Sequence, residues 1–277
     1  MAEFKPGAAA LYNGCGRNGT RIDAMQHLTS LLATVLTFCF AAAVLDQYLQ
    51  RRRAYQLVWA VALTAFAIAF TAQLVAAVVG WTPTLYRLWY GFGALYAVPL
   101  LGLGSVFLLC PRWAKIAATV IVAELMVWGF LRIYGQPLSA EMLVPKPGAT
   151  HPDTHLLPPD IRATAVLLNS LGTLVLFAGA IWSAVAFWRR RTAPHRVWSN
   201  ALIAAGALIA GAAGTLEKFG QPSLLYLGNL LGMTVIFFGF LRSAERMEVA
   251  HLPVLRHLVR PRRALSGRQG RAVGTQR

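Results

Sequence analysis

The chain has 277 residues, 57% hydrophobic and 13% charged, with a net charge of +16. A soluble domain carries about twice that charged fraction, and the apolar residues here gather in blocks long enough to cross a bilayer, so composition excludes an ordinary soluble domain. Nor does the basic excess point to nucleic acid: Lys and Arg sit in short connections beside apolar blocks and in the C-terminal tail, where they govern membrane orientation.

Residues 1–24 are a polar, glycine-rich tail (GCGRNG) without the apolar core of a signal peptide. Met25 opens the first apolar block and is read as a candidate true start of translation. Seven spans are expected near 26–49, 54–80, 84–109, 113–134, 161–188, 197–219 and 222–243, giving an all-α, polytopic bundle over 25–243. Arg51, Arg52 and Arg53 follow span one, Arg112 and Lys115 follow span three, and Arg189, Arg190, Arg191 and Arg196 follow span five. The alternate connections, at 80–84, after Tyr134 and around Gln221, are poorer in charge. Short Arg-rich loops stay in the cytosol. The pattern predicts an outside N-terminus and an inside C-terminus in a plasma (inner) membrane of bacterial type.

The loop at 135–160 is rich in proline, which forbids a regular helix, and its length suits a cover over the outer face. The tail from 244 to 277 is basic. Anionic lipid would attract it by roughly 1 kcal/mol per Lys or Arg near the surface. The simpler reading is a solvated tail that reinforces orientation.

The chain also repeats. With a shift of 139, Thr34 meets Thr173, Phe38 meets Phe177, Pro83 meets Pro222 and Gly93 meets Gly232, while the arginine triplets align after a one-residue adjustment. The Val58-Trp59 step meets Val197-Trp198. These matches suggest two parallel three-helix units joined by span four, a 3+1+3 plan; shared constraints on inner loops and interfaces could produce part of the likeness.

This layout resembles the SWEET sugar transporters and, more distantly, the opsins, over residues 26–243. SWEET proteins carry a proline within the first helix, which span one lacks, and residues 220–242 contain no lysine for a retinal Schiff base. The stretch LWYGFGALYAVPL at 88–100 resembles the seven-helix sensor regions that precede some bacterial histidine kinases, although no kinase domain follows it in this chain.

Ionisable groups at membrane depth are functional candidates. Glu124 lies midway along span four, with Trp128 and Arg132 on the same helix face. It reads either as a ligand contact or proton acceptor, or as a neutral acid joining helices. Arg87 and Arg132 lie one turn inside the outer ends, where they would bind an anion or snorkel to the interface. Tyr90, Asn169 and Asn229 add polar groups in the outer half, and Tyr90 matches Asn229 in the repeat. Such residues also simply join helices. The inner halves are drier, with Ser105 and Ser183 only mildly polar. Small residues (Gly206, Ala210, Gly214, Gly228, Gly232) suggest close packing of spans six and seven.

His151, Asp153 and His155 in the loop are a weak metal signal, and no hydrolase or nucleotide-binding motif occurs. No cofactor, metal or enzymatic activity is therefore expected. The expected function is binding of a small or lipid-like ligand in an outer-half pocket formed by Glu124, Arg132, Arg87, Tyr90, Asn169 and Asn229, in a sensory or accessory role. A small-solute transporter and a ligand-free membrane scaffold are the alternatives. Membrane lipid, an unidentified small ligand and a membrane partner protein are the partner classes.

Overall fold

The computed structural model describes residues 7–145, 151–189, 194–218 and 222–244, with side chains for 28–145, 151–189, 197–213 and 227–242. Every regular element there is helical: α1 (Gly7–Arg51), α2 (Ala54–Val79), α3 (Pro83–Leu109), α4 (Arg112–Tyr134), α5 (Pro159–Arg189), α6 (Pro194–Lys218) and α7 (Pro222–Ala244). Five stretches are long and apolar enough to cross a membrane: Leu28–Arg51 of α1, and α2, α3, α4 and α5. In α6 and α7 the apolar parts are shorter, Val197–Ala213 and Leu227–Arg242. Five such helices are compatible with a multi-pass membrane protein. The lipid contact expected of the basic tail falls outside the described residues.

Local chemistry sets the helix boundaries. Arg52 takes a left-handed φ of 53°, which breaks α1 from α2. Gly80, at φ 85°, ends α2 in a conformation that suits glycine. Thr82 then caps α3, its Oγ1 accepting from the Leu85 N–H, and Pro83 supplies a first residue with no donor to lose. Pro159, Pro194 and Pro222 open α5, α6 and α7 in the same way. The short connections leave one end of the bundle rich in arginine (Arg51, Arg52, Arg53, Arg112, Arg189). We call this the arginine end and the opposite one the loop end.

Within the spans six threonine hydroxyls satisfy themselves. Thr34, Thr37, Thr64, Thr71, Thr119 and Thr234 each donate to the carbonyl four residues back, so none needs a partner in hydrocarbon. Gln73 reaches from α2 to Ser30 of α1, its Nε2 donating to Oγ at 3.2 Å.

Glycines decide how closely the helices approach. A Cβ on Gly172 of α5 would stand 2.6 Å from the Val98 carbonyl oxygen of α3, and one on Gly102 would stand 2.8 Å from the Gly172 Cα. Gly206 and Gly232 make a matching contact between α6 and α7, each within 2.7 Å of the other's carbonyl oxygen by the same measure. Ala210 and Ala213 pack against Gly232 and Gly228. The small-residue faces expected of the last two spans therefore pack within the chain, by backbone proximity.

Helix α4 stands apart. Only 11% of its most apolar window is buried, against 33–50% for the other four long spans. It holds to α3 near the loop end, where Gly129 lets Leu95 approach and Ile133 is buried. Trp113, Ile116, Val120 and Ile121, toward the arginine end, are exposed.

The described part of the proline-rich loop folds over the loop end. Leu143 and Leu157 bury themselves among Tyr86, Tyr90 and Ile161, and His151 stacks on Trp89 with ring centroids 4.6 Å apart. The Tyr86 hydroxyl donates to the Asp153 carbonyl at 3.2 Å. The loop covers the bundle as its length suggested. Among the described residues no group of three His, Cys, Asp or Glu could hold a metal ion.

The glycine crossing gives a direct test. Gly172→Leu should lower the unfolding midpoint of the purified protein by several degrees, since overpacking a tight contact costs about 1–3 kcal/mol. Gly91→Ala, where a Cβ meets nothing within 4 Å, should leave it unchanged. Equal midpoints for both variants would show that the α3–α5 contact is not tight.

Candidate functional site

The six residues proposed from sequence take up separate positions. Arg87 donates from Nη2 to the Gln136 carbonyl at 2.8 Å and lies over the Tyr134 ring at 5.7 Å. Arg132 pairs with Asp160 at the start of α5, with Nη2 at 2.5 Å and Nε at 3.1 Å from one carboxylate oxygen. The two arginines thus tie α3 to the loop and α4 to α5. Tyr90 is buried between Tyr86 and Trp89. Asn229 is half-buried on α7. Glu124 is exposed on α4, pointing away from the bundle, and has no hydrogen-bond or ion-pair partner among the described residues.

Asn169 has a clear structural task. Residues Gly91–Ala97 of α3 form π-helical turns, in which a carbonyl bonds to the N–H five residues on. For Ala94 that residue is Pro99, which has no N–H. The Asn169 amide fills the gap: its Nδ2 donates to the Ala94 carbonyl at 2.7 Å and to Ala165 of its own helix at 2.9 Å. Gly172, one turn further along α5, brings the two backbones close enough for this contact. The sequence LWYGFGALYAVPL therefore encodes a wide-turn helix whose orphaned carbonyl is met by a neighbour.

None of the six lines either of two cavities in the bundle, one in the half toward the arginine end and the other reaching from that half to mid-depth. One, of about 60 Å³, lies between residues of α1, α2, α3, α5, α6 and α7. Its wall is apolar apart from Ser105, Ser183, Asn200 and the Trp59 indole. Asn200 donates from Nδ2 to the Ser183 Oγ at 2.9 Å. The Trp59 Nε1 donates to the Leu101 carbonyl at 3.1 Å and lies in the notch left by Gly104. What remains for a bound molecule is the Asn200 carboxamide oxygen, the Ser183 hydroxyl proton and a surrounding apolar surface. That set suits a small, mostly apolar molecule with one hydrogen-bonding group.

Asn200 escaped the sequence reading because it lies near a helix start, where a polar residue reads as interfacial. A signal was present. Ser183 and Asn200 are equally far from the middle of the connection at 189–194, so two antiparallel helices place them at one depth.

Comparison with known proteins gives no match: no family model, curated protein or solved structure is significantly similar to the chain.

The role of Asn169 predicts a stability loss. Asn169→Leu should destabilise the bundle by about 1 kcal/mol, the usual worth of an interhelical hydrogen bond in a membrane, read from unfolding in mixed detergent. The Ala94 amide carbonyl should also shift in isotope-edited infrared spectra. No shift would mean that the amide does not serve that carbonyl.

Proposed function

We propose that the chain is a seven-span, N-outside, C-inside protein of a bacterial-type plasma membrane that binds a small, mostly apolar ligand inside its bundle, in a sensory or accessory role. The central cavity carries this reading. Support for a 3+1+3 repeat comes from helix boundaries that keep step: Arg51 and Arg189 end helices 138 residues apart, Ala54 and Pro194 begin them 140 apart, and Pro83 and Pro222 begin them 139 apart. Three pairs at a shift of 139 line the cavity together: Phe40 with Gly179, Val44 with Ser183, and Leu101 with Phe240. A site between parallel repeats is where ligands are taken in several membrane families. The pocket thus lies in the arginine half and not in the outer half, with Ser105, Ser183 and Asn200 as its polar groups.

A test uses ethanol, an alcohol small enough for a cavity of about 60 Å³. It should raise the unfolding midpoint of the protein in nanodiscs, and Gly179→Leu, which fills the cavity, should abolish the response. An identical response in the filled variant would place binding elsewhere and end this reading. Protein-dependent uptake of polar solutes into proteoliposomes would favour the transporter.

One observation favours a second reading, a scaffold that docks other membrane proteins. A carboxyl in mid-span normally faces a bundle interior, a water-filled cavity or a partner. Glu124 faces outward on α4 among Val120, Ile121 and Val127, all exposed. Glu124→Leu should therefore raise the unfolding midpoint of the isolated protein. A fall would mean that the carboxyl is satisfied within the chain.

A further inference from the structure

The second cavity is a groove of about 250 Å³ on the membrane-facing side of the bundle. Leu57, Val61 and Ile68 of α2 form one bank, Phe92 and Leu100 of α3 the floor, and Met126 of α4 the far end. It exists because α4 packs on α3 but leaves a gap beside α2. Its two polar side chains are already engaged. The Tyr96 hydroxyl donates to the Met126 carbonyl at 3.2 Å, and the Thr64 hydroxyl to Ala60 at 2.9 Å. The groove thus offers an occupant apolar surface and nothing else.

Its length is informative. Leu57 to Ile68 is eleven residues along one helix, roughly 16 Å at 1.5 Å per residue. One leaflet's share of the hydrocarbon core is about 15 Å. A groove that runs from a helix start to mid-depth matches one acyl chain in extension. A transmembrane helix, about 10 Å across with its side chains, would need several times this volume.

The groove's mouth carries charge. Leu57 is one turn beyond Arg53, and exposed Arg51, Arg52 and Arg53 mark the start of that bank. Arg112, also exposed, and half-buried Lys115 stand at the same end on α4. Cationic side chains at the head of an apolar, leaflet-deep groove complement a phosphate ester attached to an alkyl chain.

We propose that this groove is a binding site for an anionic phospholipid of the leaflet at the arginine end, with one acyl chain along α2 and the phosphate at Arg51, Arg52 and Arg53. The site is separate from the central cavity and does not rest on a ligand being bound there. It also differs from non-specific attraction to the basic tail, which offers no slot for a chain.

The test is lipid retention by the full-length protein. Protein from nanodiscs containing equal phosphatidylglycerol and phosphatidylcholine is moved into detergent, washed, and its bound lipid counted by native mass spectrometry. The wild type should keep one phosphatidylglycerol, in about tenfold excess over phosphatidylcholine. Val61→Trp, at a membrane-facing position that tolerates bulk, should lose the retained lipid by blocking the groove. Gln at 51, 52 and 53 together should lose the preference for phosphatidylglycerol while the groove stays open. Variant folding is checked by the unfolding midpoint. Retention unchanged in Val61→Trp, or equal retention of both lipids by the wild type, would overturn the proposal.

Discussion

Hydrocarbon accepts neither a charged side chain nor an unpaired backbone amide, and that constraint organises this protein. Guanidinium groups collect at the helix ends, most heavily where α1, α3 and α5 stop. Buried threonine hydroxyls turn back onto their own helices. The interior arginines near the loop end are held in place, Arg87 by a loop carbonyl and Arg132 by Asp160. Against this order one group stands out: Glu124 sits at mid-span on the outer face of α4 with no partner among the described residues.

The same constraint explains the contact between α3 and α5. A wide-turn segment that meets a proline leaves a carbonyl without a donor, which in a membrane costs more than in water. Asn169 repairs it, and Gly172 and Gly102 make the repair geometrically accessible. The contact between α3 and α5 continues toward the arginine end, where Gly179 faces Ser105 and Leu109. Beside it, in the half toward the arginine end, α1, α2, α6 and α7 complete the wall of the central cavity, and the space between α2 and α4 forms the apolar groove. Both spaces follow from where backbones touch and where they cannot.

Much of the fold was legible because bilayer thickness and proline placement act locally. The ends of α2, α3 and α4 lie within a residue of the expected spans, since Arg53, Gly80, Pro83 and Pro111 punctuate them. The loop cover was legible from its prolines and its length. The candidate site was less so. Polarity along one helix reveals that Asn169 needs a partner, but not that its partner is a carbonyl freed by Pro99 on another helix. Helix α4 looked from sequence like any other span, and its peripheral position depends on which neighbours have glycine at the crossing points. Ser183 and Asn200 are unremarkable singly and become a polar pair only when α5 and α6 are set side by side.

The proposed threading, with the arginine end in the cytosol, underlies the assignment of leaflets and of the cavity's depth. It is tested most directly by cysteine labelling in intact cells, in a background with Cys15, Cys39 and Cys110 replaced by serine. Exposed Ser139→Cys, in the loop, should react with a membrane-impermeant maleimide, while exposed Gln50→Cys, at the arginine end, should react only after the cells are opened. Labelling of Gln50→Cys in sealed cells, with Ser139→Cys protected, would contradict the threading.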